Sequence, residues 1–135
     1  MESSNLQTVR AMHQAFLGRD LEAFLPHLTE DVEWGIGAYL TGKAVYRGKE
    51  GVREWWRDVE ALSTVEGEEL SSEYLEDHEL PDGRILSLGR GTIRRAAGDL
   101  ETEFAILYSF REGKVSSVES FTSHADARRE VGLEG

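Results

Sequence analysis

Residues 5 to 18 place Leu6, Val9, Met12, His13, Phe16 and Leu17 at helical intervals. This predicts a first amphipathic helix with Ser4 or Asn5 as cap and Gly18 after the last turn. Asp20 is placed to cap a second, shorter helix burying Leu21, Phe24, Leu25 and Leu28, which Pro26 should distort or end. Asp31-Val32-Glu33-Trp34 alternates polar and apolar, as a short half-buried strand does, and Gly35, Gly37 and Gly42 make the following stretch loop-like. Beyond Arg47-Gly48, Val52, Trp55, Trp56, Val59 and Leu62 recur at helical spacing while Arg53, Glu54, Arg57, Asp58 and Glu60 take the other side, so a third helix is expected. From about residue 69 the period falls to two. Strands are expected over 69 to 79, 84 to 95, 100 to 110 and 114 to 123, separated by Pro81-Asp82-Gly83, Ala97-Gly98-Asp99 and Arg111-Glu112-Gly113. Each of these turns offers a glycine for a positive φ. Ala125 to Val131 adds a short helix, which Gly132 ends.

Helices first and a four-stranded meander afterwards predict an α+β fold in which helices cover one sheet face. A length of 135 residues suits one domain, residues 1–135. The other sheet face is left to carry polar side chains or to pair with a second copy, and a homodimer is the expectation. Hydrophobic residues at 39% and charged residues at 30% argue against disorder along the chain. The net charge of -11 repels phosphate backbones and anionic membrane surfaces, so neither nucleic acid nor membrane is expected as a partner. The absence of cysteine removes disulfides, thiolate metal ligands and thiol nucleophiles together. No basic region followed by an apolar run opens the chain, and no stretch approaches a membrane span, so a cytoplasmic setting is expected.

The order of helix, short helix, Asp-Val-Glu-Trp strand, Tyr46-Arg47-Gly48-Lys49-Glu50-Gly51-Val52 leading into a Trp-rich helix, and then the meander resembles the SnoaL-like (polyketide cyclase-like) branch of the nuclear transport factor 2-like superfamily. Three segments carry the resemblance: Tyr46 to Trp56, Phe110 to Val115, and Phe121 followed by Ala125 to Leu133. It implies a cone-shaped, curved, mostly antiparallel sheet with the N-terminal helices on its concave face, a pocket between them, and a homodimer. The superfamily includes polyketide cyclases, ketosteroid isomerases, epoxide hydrolases and dehydratases alongside members that only bind, so function must be argued from the site. Its cyclases use a polar residue in the third meander strand and an acid in the fourth. Ile106 and Ser120 take those places here, which implies that the cyclase pair is absent. An arginine held between two aspartates, the epoxide-hydrolase pattern, is not evident either.

Aromatic residues exceed what a small cone needs as filler, and Phe16, Trp34, Tyr46, Trp55 and Tyr108 are expected to line a pocket for a small hydrophobic or aromatic molecule. Among ionisable residues, Glu103 lies two residues after Glu101 on one sheet face, and Glu119 sits in the last strand. A carboxylate among apolar walls has its pKa raised toward neutrality, which suits proton transfer. Arg90 stands between Gly89 and Gly91, and a close backbone approach there would turn it inward toward Glu103 or a ligand carboxylate. His124 follows the last strand near the expected rim. His13 lies on the inner side of the first helix, where a hydrogen-bonded core histidine is the ordinary outcome. His13, His27, His78 and His124 show no paired ligand spacing, so no metal is expected. No phosphate loop or dinucleotide fingerprint occurs, and no cofactor is expected. The leading expectation is a cofactor-independent acid-base enzyme of the isomerase, cyclase, hydrolase or dehydratase type, working through Arg90, Glu103, Glu119 and His124. The rivals are a non-catalytic ligand-binding or dimerisation module, and a partner-binding protein acting through the open sheet face.

Overall fold

The computed structural model describes residues 3–36, 45–62 and 68–133. The loop expected around Gly37 and Gly42 lies outside them. Helix α1 spans Ser4–Leu17. Its cap is Ser3, one residue earlier than expected, whose hydroxyl accepts from Leu6 N at 3.1 Å. Asn5 reaches instead to Gly83 O at 2.9 Å and ties the helix to a distant hairpin turn. Asp20 caps α2 (Leu21–Phe24) by accepting from Ala23 N, and the chain then tightens into a 3-10 turn at Leu25–His27. Pro26 sits in that turn, where its missing N–H costs no α-helical bond.

Strand β1 (Leu28–Gly35) runs further in both directions than its four-residue pattern predicted. Strand β2 (Tyr46–Arg47) pairs with it and leads directly into α3 (Gly48–Leu62). The glycines of the Tyr46 to Val52 segment serve this junction. Gly48 has φ +71, and a Cβ on Gly51 would come within 3.0 Å of the Tyr46 backbone. This one of the three segments that carry the family resemblance is thus a packing motif.

The meander follows as β3 (Glu68–Glu79), β4 (Ile85–Arg95), β5 (Leu100–Arg111) and β6 (Lys114–Phe121), and α4 (His124–Glu130) closes the chain. Gly83, Gly98 and Gly113 all take positive φ in the three turns, as their places predicted. The six strands form one mixed sheet in the order β2-β1-β6-β5-β4-β3, with only the β1 and β6 pairing parallel. A register shift between Tyr74 and Glu76 puts a bulge in β3. The α+β architecture expected from the order of periods is therefore present.

Both sheet faces bury apolar side chains. Under α1, α2 and α3 lies the larger core, in which Val9, Met12, Phe24, Trp34, Val52, Trp55, Ile85, Ile106 and Tyr108 take part. On the opposite face a smaller core joins Leu86, Leu88, Ala105 and Leu107 to Leu80 and to Ala127 of α4. The face expected to stay open is therefore partly covered by the C-terminal helix. Its remainder is charged: Arg90 bridges to Glu73 at 2.9 Å and Arg128 to Glu76 at 2.8 Å.

Candidate functional site

Helices α1 to α3 do not fill the space above the sheet. A cavity of about 380 Å³ remains between them and strands β1, β3, β4 and β5, within the size range of small-molecule sites. All three tryptophans of the chain border it. Their rings belong to one aromatic cluster: Trp34 and Trp55 centroids are 5.1 Å apart, and Phe16 stacks on Trp55 at 5.7 Å and meets Trp56 edge-on at 5.6 Å. Leu17, Arg19 and Glu60 also border the cavity from exposed positions. Arg19, at φ 56, makes the left-handed turn from α1 into α2, while Gly18, which follows the last turn of α1 as expected, stays at φ -83.

Of the five residues expected to line the pocket, Phe16, Trp34, Trp55 and Tyr108 do so. Tyr46 is buried outside it and donates its hydroxyl to Asp58 Oδ2 at 2.8 Å. Ile106 borders the cavity and faces Ser120 across the β5–β6 ladder. Ser120 donates to Gly35 O at 2.8 Å.

The four ionisable residues picked from the strands stand elsewhere. Side chains alternate along a strand, so Arg90 shares its face with Leu86 and Leu88, and Glu103 shares its face with Ala105 and Leu107, opposite the cavity. Arg90 and Glu103 are register partners, yet Arg90 pairs with Glu73. Glu119, opposite Leu107, is exposed. His124 is held by the Glu103 carboxylate, which accepts from its backbone N–H at 3.0 Å and lies 3.5 Å from Nδ1, while its Nε2 is 2.7 Å from Gly89 O. This histidine fastens α4 to the sheet.

Gly89 has a different role from the one its place beside Arg90 suggested. A Cβ there would lie 2.2 Å from the Phe104 ring and 2.7 Å from Glu73 O. The close approach therefore seats Phe104, a cavity residue, over the strand and does not turn Arg90 inward.

The buried or half-buried ionisable groups on the cavity wall are His13, Tyr74 and Tyr108, beside the exposed Arg19 and Glu60. His13 is 7% exposed, stacks on Tyr74 with centroids 3.7 Å apart, and places Nε2 3.2 Å from Tyr108 Oη. Burial, opposed by the Asp77 carboxylate 4.0 Å from Nδ1 and reinforced by the Arg10 charge, lowers its pKa from 6.5 to about 4. Burial also raises the Tyr108 pKa well above its ordinary value. Near pH 7 both groups are neutral. Among the described residues, the indole N–H groups of Trp34 and Trp55 are buried without an acceptor, each at a cost of roughly 1–3 kcal/mol. Sequence reasoning placed His13 on the inner helix side but gave it a core role. Its neighbour Tyr108 was the available signal, since Thr102, Phe104, Ile106 and Tyr108 share one parity in β5.

Comparison with known proteins agrees with this architecture. The SnoaL-like domain family matches residues 9–118. No curated protein matches the chain. Among solved structures, a nuclear transport factor 2-like protein of unknown function from Burkholderia pseudomallei is 27% identical with TM-score 0.67, over 96% of this chain and 98% of that one. TerC, co-crystallized with polyporic acid, is 25% identical with TM-score 0.69 over 96% and 98% of the two chains. A Mycobacterium tuberculosis protein in complex with estradiol-17β-hemisuccinate shares 16% identity and a TM-score of 0.67, over 92% and 97% of the two chains. With matched fold and a family profile across most of its length, the chain belongs to the SnoaL-like domain family of the nuclear transport factor 2-like superfamily.

Proposed function

We propose that this protein binds a small, largely apolar organic molecule bearing fused or linked rings. The observation that carries the reading is the cavity walled by Trp34, Trp55 and Trp56 together with Phe16 and Phe104. Packed interiors leave few voids larger than a water molecule, so an aromatic-walled space of this size supports an occupant. The ligands seen with TerC and with the mycobacterial protein, polyporic acid and estradiol-17β-hemisuccinate, support the same class of guest. The test uses the three indole N–H resonances, followed by proton–nitrogen correlation NMR during titration with a panel of bicyclic and tricyclic aromatics. Saturable shifts of these resonances are expected. A panel that moves none of them would end the reading.

Binding without turnover is favoured over acid-base catalysis by Arg90, Glu103, Glu119 and His124, because all four stand outside the cavity wall. Arg90→Ala and Glu103→Gln are accordingly expected to leave ligand affinity within about twofold of wild type. A homodimer and a cytoplasmic setting stay within the proposal, supported by the resemblance and by the lack of cysteine. Light scattering at twice the monomer mass is expected. Among the described residues no helix is long and apolar enough to cross a membrane.

A further inference from the structure

The polar end of the cavity is assembled from α1, β3 and β5 around His13. The stack on Tyr74, with planes 7° from parallel, fixes the plane of the ring. One ring nitrogen, Nδ1, is then nearest Asp77, and the other, Nε2, nearest Tyr108 Oη. Asp77 is itself held by Ser87 Oγ at 2.6 Å and by Arg10 Nε at 3.5 Å, so its charge stays on the Nδ1 side.

A neutral imidazole carries one N–H. The Asp77 carboxylate favours that hydrogen on Nδ1, and Nε2 is left as an acceptor. Tyr108 must then donate its single O–H to Nε2. Its phenol oxygen keeps an acceptor lone pair, and Nε2 is the partner found for Oη. Tyr108 borders the cavity, so this acceptor is one polar feature offered to a guest, on a wall that also carries the hydroxyl residues Ser71, Ser72, Tyr74, Thr92 and Thr102 and the exposed Arg19 and Glu60. A carbonyl would meet this oxygen lone pair to lone pair. An ether would leave it unmatched. A carboxylate would meet the Asp77 field and the low polarity of the site.

We infer that the cavity selects a neutral ring compound bearing a hydroxyl of the phenol or enol class, which donates its hydrogen bond to Tyr108 Oη while His13 holds the Tyr108 proton. This rests on the ligand-binding reading above and adds the class of guest. The test is the indole titration of the full chain at neutral pH with β-naphthol, its methyl ether and β-naphthoate. Naphthol is expected to bind at least about tenfold tighter than the ether, because only naphthol matches the buried acceptor. Naphthoate is expected to bind weakest. Tyr108→Phe should reduce naphthol to the affinity of the ether and leave the ether unchanged, which also reports an intact cavity. If that variant does not fold, the wild-type comparison decides alone. Equal binding of naphthol and ether overturns the inference, as does tighter binding of naphthoate, or a naphthol advantage that survives in Tyr108→Phe. If the ether and the naphthol both bind and only their ranking fails, ligand binding stands without the hydroxyl preference. Silence from all three probes would remove both.

Discussion

His13 is a buried side chain whose ionisation this fold opposes. Its pKa in the folded chain is about 4 against 6.5 when unperturbed. The unfolded chain therefore takes up the proton first. The stability this group contributes is complete above about pH 6.5 and is lost as the pH falls from there toward 4, by a total on the order of 3 kcal/mol. His13→Gln is expected to be less stable at neutral pH but to show a shallower loss of urea midpoint over that window. A slope equal to wild type would assign the acid sensitivity to the carboxylates instead. Ranking residues by chemical type favoured Arg90 and Glu103 as the reactive ones. Their environment decided otherwise, since an exposed ion pair such as Arg90–Glu73 is worth little and a buried histidine against a tyrosine is set apart from water.

At the scale of elements, helices and turns were the legible part. The stripe from Val9 to Phe16, the Asp20 cap and the three glycine turns all stand where their spacing put them. Strand faces were not legible, and the reason is physical. Ile85 to Gly89 is buried without interruption, because the larger core takes one parity and the α4 core the other. Burial on both sides erases the alternation that would tell inner from outer. The period of two put Glu103 and Tyr108 on opposite sides of β5, but without that signal nothing in the sequence said which side faces the cavity. The β5–β6 hairpin offers a test at this scale. Its two central residues, Glu112 and Gly113, have φ 53 and 80, the signs of a type I′ turn, in which asparagine is preferred first. Glu112→Asn is expected to stabilise the chain by roughly 0.5 kcal/mol, read as a rise in thermal midpoint. A fall would mean that the Glu112 side chain makes a contact outweighing its backbone strain.

The whole molecule is a three-layer arrangement in which a single sheet separates a hollow side from a solid one. The solid side depends on α4, whose Ala127 is fully buried against the leucines of β4 and β5. Ala127→Glu places a charge there and is expected to cost at least about 2 kcal/mol. The lowered thermal midpoint should be accompanied by self-association in light scattering, as Leu86, Leu88 and Leu107 become accessible. An unchanged midpoint would mean that α4 rests only loosely on the sheet. The two sides nevertheless share one strand backbone. At Gly89 the carbonyl faces His124 from the solid side, while the Phe104 ring lies across the α-carbon on the hollow side. The breadth available to a guest is thus governed partly by a residue that never meets it. A methyl group added at position 89 would press on the ring and narrow the chamber. Trimming position 104 to an aliphatic side chain would widen it. Natural variation at this pair is where relatives of the protein would acquire a different appetite for bulk while keeping the hydroxyl-reading end intact.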